Sequence, residues 1–262
     1  MSTRGTAPRF PVASFRKSRG QSRHRRAAAL NERPIPLYPE GDRTLMQFHN
    51  RTDAGQQLAQ QLTRYANRPD VLVLALPRGG VPVGYEVARA LHAPLDVFVV
   101  RKLGVPGREE LAMGAIASGG VRVLNRHAVD TLGISDELID AVVKRELREL
   151  ERRERAYRAE RATPDVHGCT VILVDDGIAT GSTMRAAVEA LRQLEAARIV
   201  VATPTVALST IREMQPDVEE FVAVMTPAEF DAVGQWYEDF AQTTDEEVRE
   251  LLGKAERFSN ST

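Results

Sequence analysis

The chain has 262 residues, of which 43% are hydrophobic and 27% are charged, and its formal net charge is -1 at pH 7. This composition is typical of a globular protein with one substantial domain, and the near-neutral charge argues against a dedicated nucleic-acid binder. The single cysteine, Cys169, excludes an intrachain disulfide and favours a reducing, cytoplasmic location.

Residues 1–45 form a basic segment that differs from the rest of the chain. Arginines recur through it, its only acids are Glu32, Glu40 and Asp42, and prolines and serines interrupt it. We interpret it as a disordered N-terminal tail. Two alternatives stay open: an Arg-rich transit peptide, or a start codon assigned too early, because Met46 directly precedes the first regular segment.

Apolar runs alternate with helical patterns in the remainder of the chain. Helical spacing predicts a first helix that is capped by Thr52 or Asp53, and further helices at 83–91, 135–161, 182–194 and 207–214. Continuous apolar runs predict strands at 71–77, 95–100, 170–175, 198–205 and 218–225. A hairpin is predicted around Gly119-Gly120. The alternation predicts an α/β fold, with a central parallel sheet flanked by helices. The apolar positions of the first helix are Ala54, Leu58, Leu62 and Tyr65.

The long helix 135–161 has a narrow apolar stripe among many charged residues, which form i,i+4 pairs. This pattern favours packing on the core or on a second copy of the chain over nucleic-acid binding. We therefore expect a homodimer and no nucleic-acid partner. No apolar run is long enough to cross a membrane, and the five histidines lack the spacing of a zinc site. The stripe consists of Leu138, Val142, Leu147, Leu150 and Tyr157.

Polar segments follow three of the predicted strands, where ligands of parallel sheets bind. Thr180-Gly181-Ser182-Thr183 lies at a strand-to-helix turn, where backbone N–H groups and the positive helix end favour an anion. A nucleotide-binding P-loop would need Lys at the position of Ser182. An ordinary capped turn is the simpler alternative, but two adjacent acids, Asp175 and Asp176, precede this one.

The run from 171 to 183, with four apolar residues, two acids, a spacer and Thr-Gly-Ser-Thr, resembles the phosphoribosyl-pyrophosphate signature of type I phosphoribosyltransferases. The resemblance implies that Asp175 and Asp176 bind the ribose 2- and 3-hydroxyls. It implies Mg²⁺ as cofactor, held by these two residues indirectly, through ribose hydroxyls or water. The residues implied to bind the 5-phosphate are Ala179, Thr180, Gly181, Ser182 and Thr183.

Arg78-Gly79-Gly80 follows the first predicted strand. Two glycines let the backbone turn its amides toward an anion, and Arg78 offers charge-assisted hydrogen bonds, although a tight turn with a solvent-facing Arg is the alternative. This segment is similar to the pyrophosphate loop of the family. Arg101-Lys102, after the next strand, would add positive charge there. The predicted catalytic residues are Asp175, Asp176, Arg78 and Lys102.

Two further segments carry a resemblance. Residues 101–110 resemble the start of the mobile loop of adenine-type enzymes, and 226–240 is similar to the hood of hypoxanthine-type enzymes. We expect the core at 46–225 and a small C-terminal hood at 226–262. In the hood, the candidates for stacking on a planar base are Phe230, Trp236, Tyr237 and Phe240, and the core of a small lid is their alternative reading.

The resemblance, over about 48–252, implies an enzyme that transfers ribose 5-phosphate from phosphoribosyl pyrophosphate to a nitrogenous base. Two departures leave the acceptor open: Ala179 replaces the Asp of hypoxanthine-type enzymes, and the strand 198–205 lacks their Lys. Two alternatives remain. One is a regulatory protein that binds a phosphoribosyl ligand or nucleotide without turnover, and the other is a hydrolase that releases pyrophosphate or phosphate without any acceptor base.

Overall fold

The computed structural model describes residues 47–158 and 161–259, so the predicted tail at 1–45 and its alternatives lie outside the described residues. The described chain contains a parallel sheet, a smaller antiparallel sheet and seven α-helices. In chain order the elements are α1 (Arg51–Gln61), β1 (Val71–Ala75), α2 (Gly80–Leu91), β2 (Leu95–Val97), β3 (Val100–Val105), β4 (Arg108–Ala117), β5 (Val121–Leu124), α3 (Arg126–Leu132), α4 (Asp136–Arg158), β6 (Thr170–Val174), α5 (Ser182–Gln193), β7 (Arg198–Thr205), α6 (Leu208–Met214), β8 (Glu220–Met225) and α7 (Asp245–Ser259).

The central sheet has five strands in the order β2-β1-β6-β7-β8, and every neighbouring pair is parallel. Alternate residues of its strands pack on opposite sides. Val73 and Ile172 belong to the layer formed with α1, α2, α4 and α7, whereas Leu74 and Leu173 belong to the layer formed with α5 and α6. Both faces are covered, which explains why these strands are apolar at consecutive positions. The predicted α/β fold with a helix-flanked parallel sheet is confirmed.

Strands β3, β4 and β5 form a separate antiparallel sheet. The predicted strand 95–100 is interrupted, because the chain leaves β2 after Val97 and changes its partner. The N–H of Phe98 still donates to the Ala75 carbonyl, whereas the N–H of Val99 donates to the Ser118 hydroxyl at 2.8 Å. The predicted hairpin is confirmed, with Ala117 paired to Val121.

The segment 101–110, expected as the start of a mobile loop, forms most of β3 and the beginning of β4. A two-residue turn at Pro106-Gly107 joins these strands, and Gly107 has a φ of 74°. In that left-handed region glycine has no steric penalty. The glycine and proline therefore mark a hairpin turn in the structure.

Two expectations about helices are corrected. The cap of α1 is Asn50, whose side chain accepts a 3.0 Å hydrogen bond from the N–H of Asp53, so neither Thr52 nor Asp53 is the cap. In α4, Leu138 is 48% exposed while Ile139 is 1% exposed. One residue along a helix turns the side chain by about 100°, so Leu138 lies off the buried face. The predicted apolar positions of α1 and the turn after it are all buried: Ala54, Leu58, Leu62 and Tyr65.

The C-terminal part contains a helix that the sequence pattern did not predict. Helix α7 packs against α2 and α4, and its residues Val248, Leu252 and Ala255 are buried. Between β8 and α7 the chain forms a short 3-10 turn at Val233–Trp236. Within the described ranges, none of the helices combines the length and the apolarity that crossing a bilayer requires.

Candidate active site

Asp175 and Asp176, called here the acid pair, directly follow β6 at the carboxyl edge of the central sheet. The segment Arg78-Gly79-Gly80, called the double-glycine turn, lies against them. A Cβ atom added at Gly79 would lie 2.0 Å from Oδ2 of Asp176, and one added at Gly80 would lie 3.2 Å from Oδ1 of Asp175. Only glycine fits this close approach. The structure thus brings together two of the segments that the sequence singled out.

The acid pair is partly buried, and this changes its ionisation. Burial, followed by the negative charge of Asp176, raises the pKa of the Asp175 carboxyl well above its usual value. Burial also raises the pKa of Asp176, although the Arg51 guanidinium opposes this shift. Two partly buried, adjacent carboxylates preferentially bind groups that donate hydrogen bonds or carry positive charge. A ribose diol is a ligand of the first kind.

Arg51, the first residue of α1, is a site residue that the sequence analysis missed. Its Nε donates to Oδ2 of Asp176 at 2.8 Å, and the two side chains are only 11% and 13% exposed. Its Nη1 donates to the Ala241 carbonyl at 2.6 Å, and its guanidinium lies 3.9 Å from the ring centre of Phe240. Arg51 therefore links the acid pair to the C-terminal segment. No motif spacing indicates this contact, because its partners are distant in sequence.

Residues 177–183, called the anion loop, connect the acid pair to α5. The carbonyl of Ile178 accepts a hydrogen bond from the N–H of Ala207, and that of Gly181 accepts one from the N–H of Arg185. By contrast, the backbone N–H groups of 179–184 donate to no acceptor in the described part of the chain. Gly181 has a φ of 70°. Six successive amides without a partner at the start of a 12-residue helix form a site suited to an anion.

The hydroxyls of the anion loop are accessible. Thr180, Ser182 and Thr183 are exposed, and the hydroxyl oxygens of Thr180 and Ser182 are 3.2 Å apart. Ala179 is partly buried, and Gly181 is buried against α6. The loop can therefore offer hydroxyl groups as well as amides to a ligand.

The three predicted cations have different surroundings. Arg78 lies in the double-glycine turn after a cis peptide bond with Pro77, and its Nη1 is 3.5 Å from Oδ1 of Asp245 in α7. Arg101 instead forms a 2.6 Å ion pair with Glu146 of α4. Lys102 is exposed on β3, with its Nζ 3.4 Å from the Glu110 carbonyl. Of the three, Arg78 is the one that adjoins the acid pair through its neighbour Gly79.

The aromatic residues of the hood are mostly buried. Trp236 is 6% and Tyr237 is 4% exposed, and Phe230 packs on Trp236 with a ring-centre distance of 6.0 Å. The Tyr237 hydroxyl donates to the Asp176 carbonyl at 2.5 Å. Phe240 is 37% exposed, which makes it the more accessible surface for a planar ring. Trp236 and Tyr237 therefore fit their alternative reading, the core of a small lid.

The oxygen ligands of the site fit Mg²⁺ only if a bound substrate and water supply most of its coordination shell. Within the described residues, no group of three or more His, Cys, Asp or Glu side chains could hold a metal ion by itself. Mg²⁺ commonly binds through one or two carboxylates while substrate phosphates and water complete its shell. The acid pair suits that mode, with the bound substrate supplying most of the oxygens.

Residues 44–218 match the family described as "Phosphoribosyl transferase domain". Two curated proteins from strains of Mycobacterium tuberculosis, "Putative phosphoribosyl transferase MT0597" and "Putative phosphoribosyl transferase Rv0571c", are each 47% identical over 210 residues, or 80% of this chain and 47% of theirs. The chain thus spans about half the length of these relatives. The crystal structure of TT1426 from Thermus thermophilus is 39% identical with a TM-score of 0.71, covering 80% of this chain and 99% of that one.

Proposed function

Because the chain belongs to the phosphoribosyl transferase domain family, we propose that it transfers a ribose 5-phosphate group from phosphoribosyl pyrophosphate to a nitrogenous base, with Mg²⁺ as cofactor. The observation that carries the proposal is the position of the acid pair. It follows β6, touches the double-glycine turn and leads into the anion loop and the start of α5, where the six amides of 179–184 have no partner among the described residues. A ribose that carries a 5-phosphate, two free hydroxyls and a pyrophosphate on C1 would match these three parts.

Each part of the site would bind one part of the donor. The carboxylates of Asp175 and Asp176 accept hydrogen bonds from the 2- and 3-hydroxyls of the ribose. The anion loop donates its amides and hydroxyls to the 5-phosphate. The double-glycine turn binds the pyrophosphate, with Arg78 as a charged donor. Lys102 and Arg101 would join the pyrophosphate only after they leave Glu110 and Glu146.

In the reaction, the bond between C1 of the ribose and the pyrophosphate oxygen breaks. C1 acquires oxocarbenium character, the electron pair of the broken bond stays on the pyrophosphate, and a nitrogen of the base forms the new bond and loses its proton. When bound, Mg²⁺ supplies charge neutralisation at the leaving pyrophosphate. The residues of the chain orient the donor, stabilise the negative charge near Arg78 and exclude water.

The acceptor would enter beside the hood. Gly177 lies directly against Val233, because a Cβ atom added at Gly177 would be 2.3 Å from Cγ1 of Val233. Phe240 offers a partly exposed ring for stacking. Because the Arg51 guanidinium lies between Asp176 and Phe240, the acceptor is expected at the exposed part of the Phe240 ring.

Calorimetric titration with phosphoribosyl pyrophosphate and Mg²⁺ tests the proposal. We expect saturable binding by the unmodified protein and its loss in the double variant Asp175→Ala/Asp176→Ala. Asp70→Asn is a matched control, because Asp70 precedes β1 at the opposite end of the sheet. Absence of saturable binding, or undiminished binding by the double variant, contradicts the proposal. Incubation with a panel of bases then detects pyrophosphate release and identifies the acceptor.

The second candidate is a regulatory protein that binds a phosphoribosyl ligand or nucleotide without turnover. The observation in its favour is that Ala179, directly before Thr180-Gly181, gives the loop no carboxylate with which to contact an acceptor. Tight nucleotide binding without pyrophosphate release across the base panel supports this candidate. Release without any added base would instead support a hydrolase.

We also propose a homodimer in the cytoplasm, without a nucleic-acid or membrane partner. Leu111, Leu132 and Leu138 are large apolar side chains that are 41–48% exposed, and they could contribute to a contact between copies. Light scattering of the purified protein measures the mass in solution, and a monomeric mass at micromolar concentration contradicts the proposed homodimer.

A further inference from the structure

The carbonyl groups in the middle of the anion loop are held by side chains outside the signature. The Thr210 hydroxyl, on α6, donates to the Ala179 carbonyl at 2.5 Å. The Nη2 of Arg185, on α5, donates to the Thr180 carbonyl at 2.7 Å. These are the two peptide groups that lead into the turn at Gly181, so their orientation decides which way the next amides face.

Thr210 also determines how closely the loop approaches α6. It is 4% exposed, and a Cβ atom added at Gly181 would lie 2.8 Å from its methyl carbon and 2.9 Å from the sulfur of Met214. Valine would fill the same space without a hydroxyl. A buried hydroxyl is costly unless it forms a hydrogen bond, so the choice of Thr at this apolar contact needs a reason. Its bond to the loop carbonyl provides that reason.

Arg185, although it lies on α5, is also connected to α6. Its Nη1 forms a 3.0 Å ion pair with Oε2 of Glu213, one turn along α6 from Thr210. Glu213 thus pairs with the same guanidinium that donates to the Thr180 carbonyl. Both side-chain anchors of the loop are thus attached to α6, directly through Thr210 and indirectly through Glu213.

We infer that α6 positions the anion loop. Thr210 and Arg185 keep the carbonyl oxygens of Ala179 and Thr180 turned away from the ligand. The amides of 179–183 then remain directed to a phosphate. A carbonyl oxygen turned toward a phosphate would repel it, whereas preorganised amides attract it without rearrangement. Both are positioning residues, because they contact the loop and not the ligand. The inference rests on the proposed function, since it assumes that this loop binds the 5-phosphate.

A comparison of the affinities for two ligands distinguishes this positioning role from a general effect on the folded structure. Ribose 5-phosphate engages the anion loop, whereas inorganic pyrophosphate engages the double-glycine turn. We expect Thr210→Val to weaken ribose 5-phosphate binding about 5- to 10-fold, the effect of one lost hydrogen bond, and to change pyrophosphate binding by less than about twofold. Thr210→Ser, which keeps the hydroxyl, should restore most of the affinity. Calorimetry measures both dissociation constants.

Thr170→Val is the matched control. Thr170 is 3% exposed, its hydroxyl donates to Asp70 at 2.8 Å, and it lies at the start of β6, away from the loop. It should leave the affinity for both ligands unchanged. Arg185→Met is a second test that does not open a cavity in the core, since the Arg185 side chain is 36% exposed. We expect it to weaken ribose 5-phosphate binding about threefold or more.

The outcomes are distinct. Selective loss of ribose 5-phosphate affinity in Thr210→Val or in Arg185→Met supports the inference. Unchanged affinity in both variants, or equal losses for both ligands, overturns it while leaving the proposed function intact. If the unmodified protein binds neither ribose 5-phosphate nor pyrophosphate, the proposed function fails, and the inference fails with it.

Discussion

The Nε of Arg51 donates to Oδ2 of Asp176 at 2.8 Å, in an ion pair that is almost completely shielded from water. The same guanidinium packs on Phe240 and donates to the Ala241 carbonyl. The first turn of α1, the end of β6 and the C-terminal segment therefore meet at a single charged group. A change at Arg51 should affect both the stability of this junction and the binding of a donor sugar.

Arg51→Met should destabilise the protein by about 3 kcal/mol, because it leaves the carboxylate of Asp176 buried without its cation. Trp236, the single tryptophan, lies in the hood and reports unfolding by fluorescence in a urea titration. Arg249→Met is the control, since Arg249 pairs with Glu246 on the exposed surface of α7 and should change stability by less than about 1 kcal/mol. Equal losses of unfolding free energy in the two variants would contradict the claim that burial makes the Arg51–Asp176 pair important for stability.

Asp175→Asn should stabilise the protein without ligand while abolishing donor binding. The folded-state pKa of Asp175 is raised, so the folded protein retains the proton more strongly than the unfolded chain does. Stability is therefore lost as the pH rises from about 4, the unfolded value, through the raised folded value. The variant lacks this loss. Thermal unfolding between pH 4 and 8 should show a higher melting temperature for the variant at pH 7, by about 2–4 °C per kcal/mol.

The difference between the two proteins should shrink toward pH 4, where Asp175 is protonated in the folded state and about half protonated in the unfolded chain. A constant difference over the whole range would show that Asp175 is ionised throughout, which contradicts the raised pKa.

Gly79→Ala should abolish donor binding, because the added methyl would lie 2.0 Å from Oδ2 of Asp176 and must displace the acid pair or the turn. The φ of Gly79 is -59°, so this effect is steric and not conformational. Gly253→Ala is the matched control, since a methyl there would meet nothing within 4 Å. In the interior of α7 that replacement should stabilise the fold by up to about 1 kcal/mol. Calorimetry and thermal unfolding compare the two variants; full binding by Gly79→Ala would contradict the packing described.

Asp245→Asn should strengthen pyrophosphate binding by up to about fivefold, because Asp245 competes for Arg78 in a pair that is partly exposed. Arg78→Met should weaken the same binding about tenfold or more, as expected for a lost charge-assisted hydrogen bond. Both dissociation constants are measured by calorimetry at low ionic strength, where the pair is least screened. Weaker binding by Asp245→Asn would indicate that Asp245 holds Arg78 in position and does not compete with the ligand.

The sequence predicts the parallel sheet well because local signals and tertiary structure agree there. The predicted bounds of β7 match the structure, and the acids follow β6 as expected. The break after Val97 was not predicted, because it depends on a hydrogen bond from Val99 to Ser118, a residue of the next hairpin. Leu138 was misplaced because helical spacing alone does not say which of two adjacent apolar residues meets the core.

In the candidate site too, some residues could be predicted from the sequence and others could not. Its signature residues are contiguous in sequence, so pattern and resemblance find them. Arg51, Thr210 and Asp245 are single polar residues on helices, where a solvent-facing position is the ordinary expectation. Only the packing of α1, α6 and α7 around the sheet edge brings them to the loops.

The groups that complete the sheet edge come late in the chain. Tyr237, Ala241 and Asp245 contact Asp176, Arg51 and Arg78, and all three follow the segment that matches the family, which ends at residue 218. During synthesis on the ribosome, the nascent chain therefore contains the acid pair, the double-glycine turn and the anion loop well before it contains the residues that cover them. A nascent chain that stops at residue 218 would expose two like charges at an unfinished edge, and the candidate site would be complete only after residues 237–245 have emerged.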